Sequence, residues 1–507
     1  MTQSDGRGGH ILAIDQGTTG TTSLVMSTTG ETLGRENFEF PQYFPELGWV
    51  EHDPEEIWES VRLSVRGALA AAGVQATDIS AVGITNQRET TVLWQRSDSR
   101  PVHRAIVWQD RRTAGRCQEL REAGELDRVR EVTGLLLDPY FSGTKVEWIL
   151  DHVDGARTAA DEGKLAFGTV DSFLIWRMTG GQVHATDATN ASRTLLMRLD
   201  DQSWNAAQCQ LLRIPESVLP KILPSAADFG VTRGLDFLPD GVPISGVAGD
   251  QHAALFGQAC FAPGEVKTTY GTGAFAIMNT GSRLVRSRHG LLTTLAWKIG
   301  DEAVYALEGS TFVAGAAVQW LRDGLGIIDS APEIEELALS VEDCGGVVFV
   351  PALAGLGAPH WDADARGLIT GITRGTTKAH LARATLEAIA LQVTELTCAM
   401  AADLESDIPR MRVDGGAAAN DLLMQMQSDF SGLTVDRPAE LESTARGAAM
   451  FAGIGAGLFS GPAEAGRMAK TQRSFEPELS GSARSRAIAS WDDAVRRSRS
   501  VEPPRPG

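Results

Sequence analysis

The sequence has little cysteine, and the cysteines it has are not arranged in pairs. Cys117, Cys209, Cys260, Cys344 and Cys398 lie far apart in 507 residues, with no C-x-x-C motif and no histidine at metal-ligand spacing. This distribution argues against a disulfide framework and against a structural zinc site. We predict reduced thiols in a cytoplasmic protein.

Long hydrophobic runs and an excess of positive charge are also missing. No apolar run approaches the length of a membrane-spanning helix, and the first residues, MTQSDGRGG, are too polar for a secretory signal. The formal net charge is −19, which argues against binding to a nucleic-acid backbone. We therefore expect a cytosolic protein with no nucleic-acid partner and no stable membrane insertion.

Residues 11–25, ILAIDQGTTGTTSLV, predict a β-hairpin whose turn binds phosphate. A buried strand ends at Asp15, and Gly17 and Gly20 allow the backbone to bend and to approach a ligand. The turn carries four threonine hydroxyls: Thr18, Thr19, Thr21 and Thr22. Asp15 can only accept hydrogen bonds, which suits a hydrated Mg²⁺. On these residues alone, an ordinary hairpin with a glycine-rich turn is an equally good interpretation.

A second stretch, about half a chain later, has the same order of features. Residues 266–280, VKTTYGTGAFAIMNT, again predict a strand, a Gly-Thr-Gly turn and a strand, and the chain has no G-x-x-x-x-G-K-[S/T] motif. Two phosphate turns indicate a duplicated fold with nucleotide between the halves. The length fits two domains of roughly 250 residues each. Because the net charge is negative, local donors and a divalent cation would have to hold the phosphates.

Alternating strand and helix patterns favour the α/β class. Asp53 and Pro54 are predicted to open a helix that runs to Ala72, and a buried strand follows at residues 79–85. At the other end of the chain, residues 496–507 mix Arg, Ser and Pro. We predict that this tail is disordered.

Polar residues follow the predicted strand at residues 79–85, where open α/β sheets usually bind ligands. Arg88 and Glu89 offer adjacent donors and an acceptor, which suits a small polyhydroxy compound, although a solvated ion pair is the alternative. A second predicted strand, residues 105–108, ends at Trp108. This side chain either packs against substrate carbons or fills the core.

Asp250 is predicted to lie at the tip of a short apolar strand that begins at Ile244, with a helix continuing from Ala253. A carboxylate there can accept a proton from a substrate hydroxyl as it attacks the terminal phosphorus of ATP. A helix N-cap is the alternative role, and the two are compatible. A further strand and glycine pair occur at residues 411–417, where a neutral turn can lie against adenine. Asn420, one turn into the helix that is predicted to follow, can donate a hydrogen bond.

Taken together, these motifs resemble those of the glycerol kinases in the FGGY carbohydrate kinase family, which shares the superfold of actin, hexokinase and Hsp70. The matching motifs are DQGTT, GWVEHDP, GITNQRETT, IVWQ, DPYFSGTK, DATNASRT, AGDQ, YGTG, ALEG, GLGAP and RVDGGAAAN. NQRETT and DPYFSGTK are the most particular to glycerol kinases. The resemblance implies two duplicated actin-like (ribonuclease H-like) ATPase domains, residues 1–256 and 257–507, with an active-site cleft between them.

The resemblance implies phosphorylation of glycerol by ATP to sn-glycerol 3-phosphate, the entry step of glycerol catabolism, with Asp250 as catalytic base. Glycerol would contact Arg88, Glu89, Tyr140, Asp250 and Gln251 through its hydroxyls, and Trp108 and Phe275 through its carbons. ATP would contact Thr18, Thr19, Gly20, Thr272, Gly315, Gln319, Gly416 and Asn420. Asp15 would order Mg²⁺ through water. Relatives form dimers and tetramers, so a homodimer or homotetramer is expected.

Two departures from the family pattern carry expectations of their own. Many members have Ser-Ser-Arg where this chain has Gly20, Thr21 and Thr22, so a cation near the phosphates is missing. Residues 226–240 lack the Arg-bearing glycine-rich loop that binds fructose 1,6-bisphosphate in some relatives, and the histidine that is phosphorylated in others. We expect neither kind of regulation.

Two alternative functions stay open. A kinase for another small polyol or ketose, such as dihydroxyacetone, would keep the fold, although Trp108 and Phe275 favour a three-carbon acceptor. A non-catalytic, nucleotide-gated binding protein is the alternative from another class, and the presence of both Asp15 and Asp250 argues against it. For the kinase, closure of the domains would exclude water, with a hinge expected near residues 254–262.

Overall fold

A computed structural model describes residues 9–440 and 442–500. The strands are β1 (His10–Gln16), β2 (Gly20–Ser27), β3 (Thr32–Glu39), β4 (Glu51–His52), β5 (Ile79–Asn86), β6 (Val92–Gln95), β7 (Ala105–Ile106), β8 (Leu165–Gly168), β9 (Ala185–Asp187), β10 (Met197–Arg198), β11 (Ser203–Trp204), β12 (Lys221–Leu223), β13 (Ile244–Gly249), β14 (Val266–Tyr270), β15 (Ala274–Gly281), β16 (Leu292–Ile299), β17 (Glu302–Thr311), β18 (Val348–Val350), β19 (Leu368–Thr370), β20 (Met411–Asp414), β21 (Val435–Pro438) and β22 (Thr471–Phe475).

The α-helices are α1 (Pro54–Ala72), α2 (Ala114–Glu122), α3 (Leu126–Thr133), α4 (Ser142–His152), α5 (Ala156–Asp161), α6 (Val170–Met178), α7 (Ala188–Ala191), α8 (Ala206–Leu211), α9 (Asp250–Gly257), α10 (Gly315–Gln319), α11 (Glu333–Leu339), α12 (Lys378–Leu404), α13 (Asp421–Ser431), α14 (Ser443–Gly455), α15 (Pro462–Ala465) and α16 (Gly481–Ser498). A π-helical turn, Trp320–Gly324, follows α10. Among the helices of the described residues, none is both long enough and apolar enough to cross a bilayer.

Two sheets with the same core topology organise the molecule. The first has strand order β13-β5-β1-β2-β3, and the second has β16-β17-β15-β14-β20-β21-β22. In the first, β1, β2 and β3 are antiparallel neighbours, and β5 and β13 run parallel to β1. In the second, β14, β15 and β17 take the antiparallel places, and β20 and β21 the parallel ones. The predicted duplicated α/β fold is confirmed.

The register of the strands brings the polar segments to one edge of each sheet. In the first sheet, Asn86 pairs with both Gln16 and Gly249, so β1, β5 and β13 end at the same level. The first hairpin turn, Arg88 and Asp250 therefore leave the sheet side by side. In the second sheet, Thr269 pairs with Asp414, which places the second hairpin turn beside the glycine pair that follows β20. Each edge is a carboxyl edge, where α/β sheets bind ligands.

The predicted hairpins and the first long helix are confirmed. β1 pairs with β2 and β14 with β15, each around a glycine-containing turn. Helix α1 begins where the sequence predicts, because the Asp53 side chain accepts a hydrogen bond from the Glu55 amide at 2.9 Å. The helix ends at Ala72, and its C-cap residue Gly73 has a φ of 65°, which suits a residue without a Cβ.

Helix α14, late in the chain, packs on the first sheet and on α9. A Cβ on Gly447 would lie 1.8 Å from the Ala253 carbonyl oxygen, and one on Gly257 would lie 2.0 Å from the Ser443 carbonyl oxygen. The two helices therefore cross at backbone contact distance. One buried cluster joins the sheet to α14 through Ile11, Ala13, Ala81, Ala248, Ala448, Ala449 and Phe451.

Three local predictions are wrong in detail. The strand predicted at residues 105–108 ends at Ile106, because Val107 enters a turn closed by the Asp110 amide. Helix α9 begins at Asp250 itself, with Gly249 as its N-cap residue. The tail is not disordered from residue 496, since α16 buries Trp491 and Val495 and continues to Ser498. Residues 501–507 lie outside the described residues.

Candidate active site

Arg88 is the centre of a buried polar cluster at the carboxyl edge of the first sheet. Its Nε lies 3.0 Å from Asp250 Oδ1 and 3.9 Å from Glu89 Oε1, and its Nη2 donates to the Tyr140 hydroxyl at 3.4 Å. Arg88 is 3% exposed and Glu89 is 1% exposed, so the solvated ion pair considered above is ruled out. Four of the residues predicted to bind glycerol therefore form one cluster: Arg88, Glu89, Tyr140 and Asp250.

Glu89 is held in an unusual backbone conformation. Its φ of 61° lies in the left-handed region, which is uncommon for residues other than glycine. The Glu89 carbonyl accepts from Ser142 Oγ at 2.9 Å and Thr91 Oγ1 at 3.1 Å, and its carboxylate accepts from Arg193 Nε at 2.6 Å. Such strained conformations persist where the surroundings hold them, and they cluster at functional sites.

Three aromatic rings meet between the two sheets. Trp108 makes edge contacts with Tyr140 and with Phe275 of β15, at centroid distances of 5.7 and 6.3 Å. Its indole Nε1 donates to Thr18 Oγ1 at 3.0 Å. Trp108 is only partly buried, so it lines a surface and does not fill the core. The hydrogen bond to Thr18 links the predicted acceptor site to the first phosphate turn.

Asp250 and Gln251 lie next to a buried cation from the second sheet. Lys267 Nζ donates to Gln251 Oε1 at 2.8 Å and lies 3.8 Å from an oxygen of Asp414. Burial raises the pKa of Asp250, although the Arg88 guanidinium and the Lys267 ammonium oppose the rise. A carboxylate with a raised pKa accepts a proton more readily than an exposed aspartate, as a general base must.

Asp15 lies at the end of β1, close to other carboxylates. Burial raises its pKa well above the usual value, and the negative charges of Glu442 and Asp250 raise it further. A bound cation would relieve this repulsion, so the residues present fit Mg²⁺. Among the described residues, no three His, Cys, Asp or Glu side chains form a ready-made metal site. Mg²⁺ is commonly held by one or two carboxylates together with substrate phosphates, so this arrangement suits it.

A cavity of about 370 Å³ opens beside the second hairpin turn. It is lined by all five nucleotide residues predicted in the second half: Thr272, Gly315, Gln319, Gly416 and Asn420. Its volume is within the range of small-molecule sites. A Cβ on Gly315 would lie 2.6 Å from the Gly271 carbonyl oxygen, so α10 can start against the turn only with glycine there.

Asn420 lies in this cavity, but its place in the helix differs from the prediction. It is the N-cap residue of α13 and does not lie one turn inside that helix. Its Oδ1 accepts from the Leu423 amide at 2.7 Å. Because the side-chain oxygen caps the helix, the NH₂ group is the part that suits the predicted donor role.

The first phosphate turn has the predicted shape, but Gly20 is needed for a different reason. The Gly17 amide donates to the Gly20 carbonyl at 2.9 Å, and Thr19 is exposed at the tip. A Cβ on Gly20 would lie 2.8 Å from the Phe38 carbonyl oxygen. In this structure strand β3 therefore lies too close to Gly20 to leave room for a Cβ, and close approach to a ligand is not needed to explain the glycine.

Comparison with known proteins identifies the family. The model of the FGGY family of carbohydrate kinases matches residues 10–257 with its N-terminal domain and residues 266–456 with its C-terminal domain. The chain belongs to the FGGY family of carbohydrate kinases. A glycerol kinase of Myxococcus xanthus is 56% identical over 490 residues, 96% of this chain and 99% of the relative. A glycerol kinase of Oceanobacillus iheyensis is 52% identical over 492 residues, 97% of this chain and 98% of the relative.

A solved structure agrees with the same family and fold. The crystal structure of Plasmodium falciparum glycerol kinase with ADP has a TM-score of 0.92 to this chain at 33% identity. The match covers 98% of this chain and 99% of that one. The family resemblance and the two-part kinase fold predicted from the motifs are therefore confirmed.

Residues of this FGGY kinase that the sequence analysis did not single out also reach the candidate site. Glu308 and Arg193 join the cluster around Arg88, and Lys267 contacts Gln251. Tyr270, Arg322 and Glu335 line the cavity beside the second turn. For Lys267 and Glu308 a signal was present, because each is a charged residue between apolar or neutral neighbours in a strand. Such a residue is rarely buried without a partner.

Proposed function

We propose that this chain transfers the γ-phosphoryl group of ATP to glycerol, giving sn-glycerol 3-phosphate and ADP. The observation that carries the proposal is the cluster at the carboxyl edge of the first sheet, where Arg88 Nε lies 3.0 Å from Asp250 Oδ1. A partly buried base and polar groups for a polyol meet there, next to aromatic rings. The glycerol kinases at 52–56% identity support this choice of acceptor.

Asp250 is the catalytic base of the proposed reaction. Its side chain remains 30% exposed, so a hydroxyl group can reach the carboxylate. Asp250 accepts the proton of the attacking glycerol hydroxyl as the oxygen bonds to the γ-phosphorus and the bond to ADP breaks. Most of the rate enhancement comes from holding these atoms in line, because phosphoryl transfer needs little covalent chemistry from the protein.

The acceptor is held by hydrogen bonds on one side and by rings on the other. In the proposal its hydroxyls contact Arg88, Glu89, Tyr140, Asp250 and Gln251, while Trp108 and Phe275 flank its carbons. The edge contacts of Trp108 with Tyr140 and Phe275 narrow the space between the sheets. A three-carbon polyol suits such a space better than a five-carbon sugar.

ATP is proposed to bridge the two hairpin turns. Thr18, Thr19 and Gly20 of the first turn and Thr272 of the second would face its phosphates. Gly315, Gln319, Gly416 and Asn420 would surround adenosine in the cavity beside the second turn. Asp15 would hold Mg²⁺, which supplies positive charge to the phosphate oxygens when bound.

The test is ADP release by the purified protein with Mg²⁺-ATP, comparing glycerol, dihydroxyacetone, erythritol, xylulose and no acceptor. We expect turnover with glycerol, and a loss of about 10²- to 10⁴-fold in Asp250→Asn, the range for a general base. Asp301→Asn is the control, because Asp301 is exposed in the turn between β16 and β17. Turnover only with another acceptor would overturn the glycerol assignment. Unchanged turnover in Asp250→Asn would contradict the role of Asp250 as base, and no turnover with any acceptor would favour the non-catalytic binding protein.

Assembly, location and domain division stay predictions. A homodimer or homotetramer should elute at twice or four times the mass of one chain in size-exclusion chromatography with light scattering. The cytoplasmic location and the division at residues 256 and 257 come from the sequence and the resemblance alone.

A further inference from the structure

Glu308 has a buried carboxylate in the candidate site, and the proposed reaction assigns it no role. It lies on β17 of the second sheet and is 1% exposed. In the antiparallel pairing it faces Ile277, so it projects from the same side of the sheet as Phe275, two residues earlier on β15. Phe275, whose ring is predicted to flank glycerol, and the Glu308 carboxylate therefore lie on the same side of the second sheet.

We infer that Glu308 is a positioning residue that, together with Arg193, fixes the Arg88 guanidinium against the base and the acceptor. The inference rests on the proposed function, because it assigns the role of Arg88 in that site. Arg88 Nη1 donates to Glu308 Oε2 at 2.6 Å, and Arg88 Nη2 donates to Glu308 Oε1 at 3.0 Å. This two-point contact sets both the position and the plane of the guanidinium.

Arg193 links this two-point contact to Glu89, and we call Glu308, Arg88, Arg193 and Glu89 together the clamp. It is fully buried, its Nη2 donates to Glu308 Oε1 at 3.1 Å, and its Nε donates to Glu89 Oε1 at 2.6 Å. Glu308 Oε1 thus accepts hydrogen bonds from two guanidiniums. Arg193 also holds Glu89, and Arg88 is itself one of the residues proposed to bind glycerol. One carboxylate from the second sheet orients both members of the Arg88–Glu89 pair.

The two guanidiniums of the cluster keep Glu308 ionised. Burial acts to raise the pKa of Glu308, but the guanidiniums of Arg193 and Arg88 outweigh it and lower the pKa to about 2. Glu308 is therefore a carboxylate throughout the neutral range. Removing its charge would take away the carboxylate that the two buried guanidiniums share, so Arg88 would no longer be held in its contact with Asp250.

The clamp also makes the acceptor site depend on both sheets. Arg88, Glu89 and Arg193 come from the part of the chain that builds the first sheet, whereas Glu308 belongs to the second. Their hydrogen bonds cross between the two parts. The second sheet therefore contributes an orienting charge in addition to the ring of Phe275.

The experiment compares Glu308→Gln with Glu308→Asp in steady-state kinetics. The amide keeps the size but loses the charge, and its NH₂ group cannot accept the hydrogen bond that Glu308 Oε2 accepts from Arg88 Nη1. We expect kcat/KM for glycerol to fall about 100-fold, as for a misplaced substrate-positioning group. The KM for ATP should change less than about threefold, because the clamp does not touch the nucleotide cavity. Glu308→Asp keeps the charge and should lose less. In Glu308→Gln the acid limb of the pH profile of kcat/KM should move to higher pH. Loss of the Arg88 contact raises the pKa of Asp250, and this outweighs the smaller opposite effect of removing the negative charge of Glu308.

Glu147→Gln is the matched control for neutralising a buried carboxylate that accepts from two arginines. Glu147 is 2% exposed and accepts from Arg116 Nε at 2.9 Å and Arg213 Nε at 3.0 Å. We expect this variant to lose stability but to keep its KM for glycerol and its acid limb. If Glu308→Gln behaves like Glu147→Gln, the inference is wrong.

A crystal structure of Glu308→Gln decides the inference independently of activity. We expect the Arg88 guanidinium to leave its 3.0 Å contact with Asp250. An unmoved Arg88 in that structure would overturn the inference even if the wild-type protein phosphorylates glycerol as proposed. A wild-type protein with no acceptor-dependent turnover would instead overturn the proposed function. The position of Arg88 in the variant would still decide whether Glu308 fixes the guanidinium.

Discussion

Some residues of the candidate site can be predicted from the sequence around them, and others cannot. Arg88 and Asp250 each follow a buried apolar strand, and this local pattern predicts a ligand-facing position. Arg193 and Glu308 reach the same cluster only through tertiary contacts more than 100 residues apart along the chain. No local pattern could predict that pairing, because it depends on how the two sheets face each other.

The hydrogen bond between Trp108 and Thr18 gives the first prediction at this scale. Thr18→Val removes the acceptor of the indole N–H, which lies 3.0 Å from the hydroxyl oxygen. We expect a cost of about 1 kcal/mol, roughly fivefold in kcat/KM for glycerol. Thr18→Ser keeps the hydroxyl and should stay near the wild type. An equal loss in both variants, measured with glycerol varied at saturating ATP, would contradict the role of the bond.

The protonation of Asp250 gives the second prediction for a single residue. Burial raises its pKa, and a base works only when ionised, so kcat/KM for glycerol should fall as the pH drops through the raised value. That fall should come at a higher pH than the ordinary aspartate pKa of about 3.9 would give. The folded state also binds this proton more tightly than the unfolded chain, so this group's contribution to stability decreases as the pH rises through the same value. A pH profile flat down to the ordinary range would contradict the assignment.

At the scale of elements, the sequence predicted what short-range patterns determine. The two hairpins, α1 and β5 follow from glycine turns, an N-cap and apolar runs, and all are present. The end of the strand at Ile106 and the start of α9 at Asp250 were missed because a turn and a cap each moved a boundary by two or three residues. Such boundaries depend on single hydrogen bonds, which apolar spacing does not reveal.

The crossing of α9 and α14 gives a prediction for these two helices. Gly447→Ala would place a Cβ 1.8 Å from the Ala253 carbonyl oxygen, so the helices must separate. We expect the free energy of unfolding to fall by about 1–3 kcal/mol, the usual cost of overpacking, or by more because the obstacle is backbone. Gly115→Ala in α2 is the control: its Cβ would meet nothing within 4 Å, so the substitution should be neutral or stabilising. Denaturant titration measures both, and equal effects would contradict the crossing.

For the whole molecule, repetition along the chain was the informative signal. Two Gly-Thr turns half a chain apart predicted a duplicated fold, and five strands of the second sheet repeat the strand order of the first. The sequence did not predict that the late helix α14 would pack on the first sheet. Ile11 and Ala81 share a buried cluster with Ala448 and Phe451, although several hundred residues separate them along the chain. Amphipathic patterns identify buried faces, but not which face covers which.

This packing leads to a prediction about the two halves. A fragment of residues 1–256 ends within α9 and lacks α14, so the face of the first sheet formed by Ile11, Ala13, Ala81 and Ala248 would be exposed. Burial of that face is a main source of stability, at about 25 cal/mol per Å² of apolar surface. We expect the fragment to aggregate or to bind a hydrophobic dye, and the full chain to unfold in one transition that includes both halves. Co-expression with residues 257–507 is the control, since it supplies α14 in trans and should restore a soluble complex. A fragment that is monomeric and unfolds cooperatively by itself would show that the first sheet is stable without α14.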